Sequence, residues 1–379
     1  MKQIAFSGTL DPITNGHMWV IQEARAIADE VVVIISENNL KKPQFSAEKR
    51  KAIIEESLAE QGWTNVSVVI VKGDYTARAA KRRGIDYLIR GIRTTADFDY
   101  ENLIQQVNVD VMHGPKTIFV MPPRDLGSVS SSFVRALQGP VGWHWNMQKF
   151  IPGPAYAAWI MDWLHKDWQS LWRFNQEDVA KIENVEFWFE RLTGEAVYGS
   201  PQRRYHNLDH MVHGLGEISA WAANTNACRA DVETLKKAFW FHDAVYDSKQ
   251  KEISNEEASA RLWLGAKLDT DDAEGTAGLI RATDHLKKNT DTHPLKNVML
   301  SVDLAILGQA EDIYDAYTRA VRVEYSNISE EIYRTNRKLI LEHFHHKAQS
   351  GLLYPDQYFS GIYRDTAMEN IAREIASLN

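Results

Sequence analysis

Cysteine is almost absent from this chain: among 379 residues there is one, Cys228. A single thiol excludes an intramolecular disulfide framework and a cysteine-ligated zinc site, so any metal must be held by His, Asp or Glu. Long apolar runs are missing as well. The opening MKQIAFSGTLD has no basic segment leading into an apolar core, and no uninterrupted stretch is long enough to span a bilayer. Positive charge is not in surplus either. With 43 Lys and Arg against 51 Asp and Glu, the net charge of -8 argues against a broad basic nucleic-acid surface but leaves room for a local phosphate pocket. Repeats and low-complexity tracts are lacking too. The expectation is a cytoplasmic protein acting on small molecules, with neither membrane nor nucleic acid as partner.

What is present suits two domains, since the chain exceeds the usual size of one and its 44% hydrophobic and 25% charged residues are ordinary for globular proteins. QIAFSG, EVVVIIS, VSVVIV, IDYLIRG and KTIFVMP read as buried strands. The segments between them, such as 16–29 and 47–61, carry helical spacing. Together they predict a parallel α/β sheet of Rossmann-like type, whose ligands bind at the carboxyl ends of the strands.

After about Pro154 the β-rich runs give way to helical text. AYAAWIMDWLHKDWQSLW, NVEFWFERLTG, DVETLKKAFWFHDAVYD, EISNEEASARLWLGAKL, DIYDAYTRAVRVEYSNI and EEIYRTNRKLILEHFHHKA all space apolar residues three and four apart. Residues 1–155 are therefore expected to form the α/β domain and 173–379 an all-α bundle. The segment 156–172, with Trp159, Trp163, Trp168 and Trp172 paired at one-turn spacing, is expected to be an amphipathic connecting helix.

In the first part SGTLDPITNGH follows a strand and leads into a helix. Gly8 and Gly16 permit close backbone approach, helix N-terminal amides attract phosphate oxygens, and His17 would face a bound polyphosphate. Three more stretches, NNLKKPQFSAEKR, LIRGIRTTADFDYE and VSSSFVR, bring cations and hydroxyls to strand ends or helix starts, as phosphoryl chemistry requires.

With these four stretches in this order, residues 1 to about 155 resemble bacterial phosphopantetheine adenylyltransferases of the nucleotidylyltransferase superfamily. The resemblance implies transfer of AMP from ATP, with Mg2+, to 4'-phosphopantetheine, giving dephospho-coenzyme A and pyrophosphate. It implies that Thr9 and His17 contact the ATP phosphates, that Lys41 bridges nucleotide and acceptor, and that Arg90, with Thr9 and Thr76, holds the acceptor. Gly91, Arg93, Glu101, Ser130, Ser131 and Ser132 would hold ATP. It also implies a homo-oligomer, in the family a hexamer built from trimers. The chain departs from the family at Tyr75 to Ala79, where an apolar segment usually lines the pantetheine arm, at Ala136, usually acidic, and at LGSVSSS, usually aromatic. These changes lie mostly on the acceptor side. A sugar phosphate, an alcohol phosphate or nicotinamide mononucleotide is the alternative acceptor.

In the second part, RRYHNLDHMVHGL sets His206 and His210 one turn apart, FWFHDAVYD sets His242 and Asp243 in an apolar run, and SVDLAILG sets Asp303 in another. Buried imidazoles and carboxylates need partners, and this donor set suits a hard or borderline divalent ion that activates water. His210, His242, Asp243 and Asp303 together resemble the ligand set of HD-domain phosphohydrolases. Tyr-His-Asn-x-x-His also resembles cyclic-nucleotide phosphodiesterases locally, which implies that His206 protonates the leaving group. NEEASA, IRATDH, DLAILG and RVEY extend the likeness over residues 173–379. Glu256 and His285 are candidates for supporting or second-metal roles, and Arg203, Arg204, Arg322 and Glu324 for phosphate binding or ion pairing. The histidines of EHFHHKA are expected to be solvated. The whole is expected to be a bifunctional enzyme acting on ATP, a phosphorylated acceptor and a phosphate ester. The alternatives are a nucleotide-hydrolysing second domain, or one domain serving as a silent nucleotide sensor or scaffold.

Overall fold

Five β-branched runs form one parallel sheet, in the order β3-β2-β1-β4-β5: β1 (Gln3–Gly8), β2 (Glu30–Ser36), β3 (Val66–Val71), β4 (Tyr87–Gly91) and β5 (Lys116–Val120). β1 runs beside β2 from Gln3 opposite Glu30 to Gly8 opposite Ile35, and beside β4 from Ile4 opposite Tyr87 to Phe6 opposite Ile89. Alternation sends Ala5, Val32, Ile34 and Leu88 to one buried layer, with Ala79, Ala80 and Ile85. Between and after the strands come α1 (Asn15–Ile27), α2 (Ala47–Glu60), α3 (Thr76–Arg82), α4 (Thr95–Gln106), α5 (Ser131–Leu137) and α6 (Trp143–Gln148). Short polar caps start several of them: Thr14 accepts from the His17 amide, Ser46 from Lys49 and Ser130 from Phe133. α4 buries none of its residues and passes into a wide turn, Val107–Val111.

The remaining elements are helical: α7 (Gly153–Ser170), α8 (Val179–Thr193), α9 (Leu208–Asn224), α10 (Arg229–Phe241), α11 (Asn255–Ala266), α12 (Ala273–Ala282), α13 (Lys296–Asp303), a 3-10 turn (Ala305–Gly308), α14 (Glu311–Glu324), α15 (Glu330–Gln349) and α16 (Gln357–Ser377). This computed structural model describes residues 1–37, 42–173, 178–247, 252–269, 271–287 and 292–378. They divide into two compact units, Met1–Asp162 and Trp163–Asn379, with the division inside α7. Trp159 and Trp168 are buried, one on each side of that point. Trp159 donates to the Gln138 side chain at 2.8 Å within unit 1, whereas Trp168 packs on Trp240 within unit 2, ring centres 5.1 Å apart. Among the described residues no helix is long and apolar enough to cross a membrane.

Three local details differ from the sequence expectation. α10 does not run through FHDAVYD but stops at Phe241, because Arg203 takes the carbonyls of Asp243 and Ala244 (2.7 and 3.1 Å). His206 does not share a helix with His210, because Asn207 caps α9 by accepting the Asp209 amide (2.9 Å) and thereby starts the helix after His206. Asp303 ends α13 rather than interrupting a helix.

Candidate functional sites in the two units

β1 and β4 are neighbours in the sheet but not in sequence, so the chain reverses direction across the sheet there and leaves a crevice at their carboxyl ends. A cavity of about 630 Å³ occupies it. The loop after β1 supplies Thr9, Asp11, Gly16 and His17; β4 and the turn after it supply Arg90, Gly91 and Arg93; α4 supplies Glu101; and the loop into α5 supplies Ser130, Ser131 and Ser132. Lys41 lies outside the described residues, and its neighbour Lys42 is on the wall. Thr76 is not. At the start of α3 it shares a 2.8 Å hydrogen bond with Ser36.

Several bonds hold these groups in place. The Thr14 N–H donates to His17 Nδ1 at 3.0 Å, which leaves the ring proton of neutral His17 on Nε2. Burial, then the nearby Arg93 and Arg90 cations, lower the His17 pKa to about 4, so the ring is neutral at pH 7. Arg90 donates to the Ser7 carbonyl and pairs with Glu101 at 3.3 Å. Arg93 pairs with Asp97 at 3.0 Å. A Cβ on Gly16 would meet the Val129 carbonyl at 3.1 Å, so glycine here lets the start of α1 and the serine loop approach without either giving way.

Three supporting residues escaped the sequence expectations. Asp11 accepts from the Gln44 and Phe45 amides (2.7 and 3.3 Å), buried Arg50 donates to the Thr9 and Phe45 carbonyls, and Arg135 donates to the Asp11 carbonyl and the Ser132 hydroxyl. Their partners are backbone groups 33 or more residues away, except for Ser132 and Phe45 beside Arg135 and Arg50. Such pairings leave no periodic trace in a sequence.

In unit 2, α9, the turn after α10 and the end of α13 bring His210, His242, Asp243 and Asp303 together. One donor atom from each lies within 4.8 Å of all the others. His242 Nε2 is 3.2 Å from His210 Nε2, 3.1 Å from Asp243 Oδ2 and 3.3 Å from Asp303 Oδ1. His242 Nδ1 donates to the Phe239 carbonyl at 2.7 Å, turning Nε2 inward. His210 Nδ1 is buried with no hydrogen-bond partner among the described residues; its ring is held between Phe239 and Tyr205.

Without a cation this cluster needs a proton. Burial opposes charge on His242, yet Asp243 and Asp303 raise its pKa well above the ordinary value. Burial and the His242 cation lower His210 to about 3. The carboxyls of Asp243 and Asp303 are held low by His242 against the effect of burial. Two imidazole nitrogens and two carboxylate oxygens, all converging, form a donor set that fits a divalent ion.

Around the cluster, His285 Nε2 meets Asp303 Oδ2 at 2.8 Å, so His285 orients that carboxylate. His206 Nε2 is 3.9 Å from Asp243, and its ring stacks on Tyr246 at 4.1 Å. Its Nδ1 meets Glu324 Oε2 at 2.7 Å, and Glu324 Oε1 accepts the Tyr205 and His206 amides. Burial works against a His206 cation, but Glu324 and Asp243 outweigh it and raise the pKa. Glu324 thus serves His206, while Arg322 pairs with Glu330 at 2.9 Å instead. His213 pairs with Glu217, and neither Glu256 nor the histidines at 343, 345 and 346 join the four-residue cluster.

A cytidylyltransferase-like family model matches residues 5–137. The phosphopantetheine adenylyltransferase of Chromobacterium violaceum is 35% identical over 160 residues, 42% of this chain and 96% of the relative. Its namesake in Lacticaseibacillus paracasei is 37% identical over 158 residues, 41% of this chain and 92% of the relative. That of Neisseria meningitidis serogroup B is 28% identical over 166 residues, 44% and 96%.

Proposed function

The chain belongs, through its N-terminal unit, to the phosphopantetheine adenylyltransferase family, and from this premise we propose that unit 1 transfers AMP from ATP to 4'-phosphopantetheine, releasing pyrophosphate. The observation that carries this reading is the cavity between β1 and β4, where His17, Arg90, Arg93 and three serines converge. Neutral His17 offers its Nε2 proton to a phosphate oxygen as charge builds there, and the arginines and the start of α1 neutralise the rest. Lys41, outside the described residues, would act as a bridge between nucleotide and acceptor, and magnesium would accompany ATP. No general base is required, because the acceptor phosphate is already ionised. Catalysis is then mainly alignment of the acceptor oxygen with the α-phosphorus.

A separate observation, the four converging donors beside His206, supports a second activity. Unit 2 is, on this reading, a metal-dependent phosphohydrolase of HD type. His210, His242, Asp243 and Asp303 would hold a divalent ion, which when bound supplies a Lewis acid and a water of lowered pKa. His206, whose pKa Glu324 and Asp243 raise against the effect of burial, stands where it can give a proton to a departing alkoxide.

Two preparations test them. In a His210→Ala, Asp243→Ala variant, pyrophosphate release from ATP and magnesium is expected to depend on 4'-phosphopantetheine and to vanish on further change of His17→Ala. No release with phosphopantetheine moves the assignment to another phosphate acceptor. For unit 2, metal analysis of the wild-type chain is expected to find bound divalent ion, and hydrolysis of phosphate esters is expected to stop on chelation. A metal-free chain without hydrolysis makes unit 2 a sensor or scaffold.

A further inference from the structure

Next to His206 lies a second cavity, of about 750 Å³, a volume suited to a nucleoside-sized group. Tyr246 and Glu324 line it and also hold His206, the one by stacking at 4.1 Å and the other at 2.7 Å. His206 itself is not on the wall, so the cavity reaches the proton donor assigned to the leaving group through these two side chains. Tyr325, whose hydroxyl is 2.9 Å from that of Tyr246, extends the same wall.

Two consecutive arginines line this cavity, and they are used differently. Arg203 is committed to the carbonyls of Asp243 and Ala244. Arg204 is exposed and, among the described residues, its guanidinium makes no ion pair and no hydrogen bond. A free planar guanidinium at the rim of a cavity is a two-pronged receptor for phosphate oxygens.

We propose that this cavity receives the alcohol portion of the substrate and that Arg204 binds a second phosphate carried on it, so that unit 2 acts on bisphosphorylated compounds. This rests on the hydrolase reading above. In the reaction a water oxygen bonds to phosphorus, the ester P–O bond breaks, and the departing alkoxide takes the proton of His206. The second phosphate stays on the alcohol, against Arg204.

The test compares uridine 3',5'-bisphosphate with uridine 5'-monophosphate and 3'-monophosphate, using the full chain, its Arg204→Gln variant and its Arg204→Lys variant. Hydrolysis of the bisphosphate is expected to be favoured by about tenfold or more in kcat/KM. Arg204→Gln is expected to remove that preference through KM, leaving the monophosphates and the melting temperature unchanged, and Arg204→Lys to restore part of it. Calorimetry of the metal-free chain supplies a readout independent of turnover: the bisphosphate should bind more tightly than the monophosphates, and only in chains that keep a cation at 204. Unit 1 contributes equally to all three chains, so the difference belongs to Arg204. Equal kcat/KM for the mono- and bisphosphates, or equal losses on both in Arg204→Gln, would overturn the second-phosphate site while leaving the hydrolase reading intact. Binding that depends on Arg204 without metal-dependent hydrolysis would keep the site and overturn the hydrolase reading. No hydrolysis and no difference in binding would remove both.

Discussion

His17 shows how one bond decides a residue's chemistry. Because Thr14 donates to Nδ1, the ring presents N–H to the cavity, and because its pKa is lowered to about 4 it keeps that form at pH 7. His17→Ala is expected to cut kcat for pyrophosphate release by ~10²–10³-fold, the cost of losing one donor to developing charge. The same shift affects stability. The folded pKa of about 4 lies below the ordinary histidine value of 6.5, so between these values the unfolded chain binds a proton that the folded chain refuses. The His17 contribution is full above 6.5 and is lost as pH falls towards 4; His17→Gln should flatten the denaturation midpoint against pH in that window. In unit 2 the corresponding pair is His206 and Glu324, whose contact raises the histidine pKa against the effect of burial. His206→Ala is expected to slow hydrolysis by ~10²-fold or more. Glu324→Gln should instead move the alkaline limb of the pH–rate profile to lower pH, with bound metal unchanged; an unshifted limb would separate Glu324 from the proton transfer.

At the scale of elements, strands and helices were legible because they follow local periodicity, while their ends depended on individual polar partners. β1, β2 and β3 coincide with the apolar, largely β-branched runs QIAFSG, EVVVIIS and VSVVIV. The end of α10 was not legible, because Arg203, forty residues earlier, takes the Asp243 carbonyl. Close approach of elements is equally invisible in periodicity. A Cβ on Gly214 of α9 would lie 2.0 Å from the Phe239 ring of α10, and Phe239 also carries the carbonyl that fixes His242. Gly214→Ala is therefore expected to destabilise unit 2 by about 1–3 kcal/mol and to weaken metal retention by separating His210 from His242. Thermal unfolding and metal titration check the two effects separately.

For the whole molecule, the two candidate sites are built entirely from residues within their own units, the first from residues before Asp162 and the second from residues after Trp163. The expectation is two activities that can be removed one at a time. His210→Ala with Asp243→Ala should leave phosphopantetheine-dependent pyrophosphate release within about twofold, as sites that share no residues or partners act additively, and His17→Ala should leave hydrolysis equally untouched. Sequence by itself determined the class of each half, since apolar periodicity is a local property, and it supplied the chemical groups, since histidines, arginines and acidic residues in buried runs are too costly to be incidental. Only the tertiary structure decided the order β3-β2-β1-β4-β5 that opens the first crevice, the meeting of His210, His242, Asp243 and Asp303 from three separate elements, and the pairing of His206 with Glu324 across 118 residues. Those outcomes depend on which surfaces pack together, and packing is settled by the summed burial of all the elements at once rather than by any segment alone.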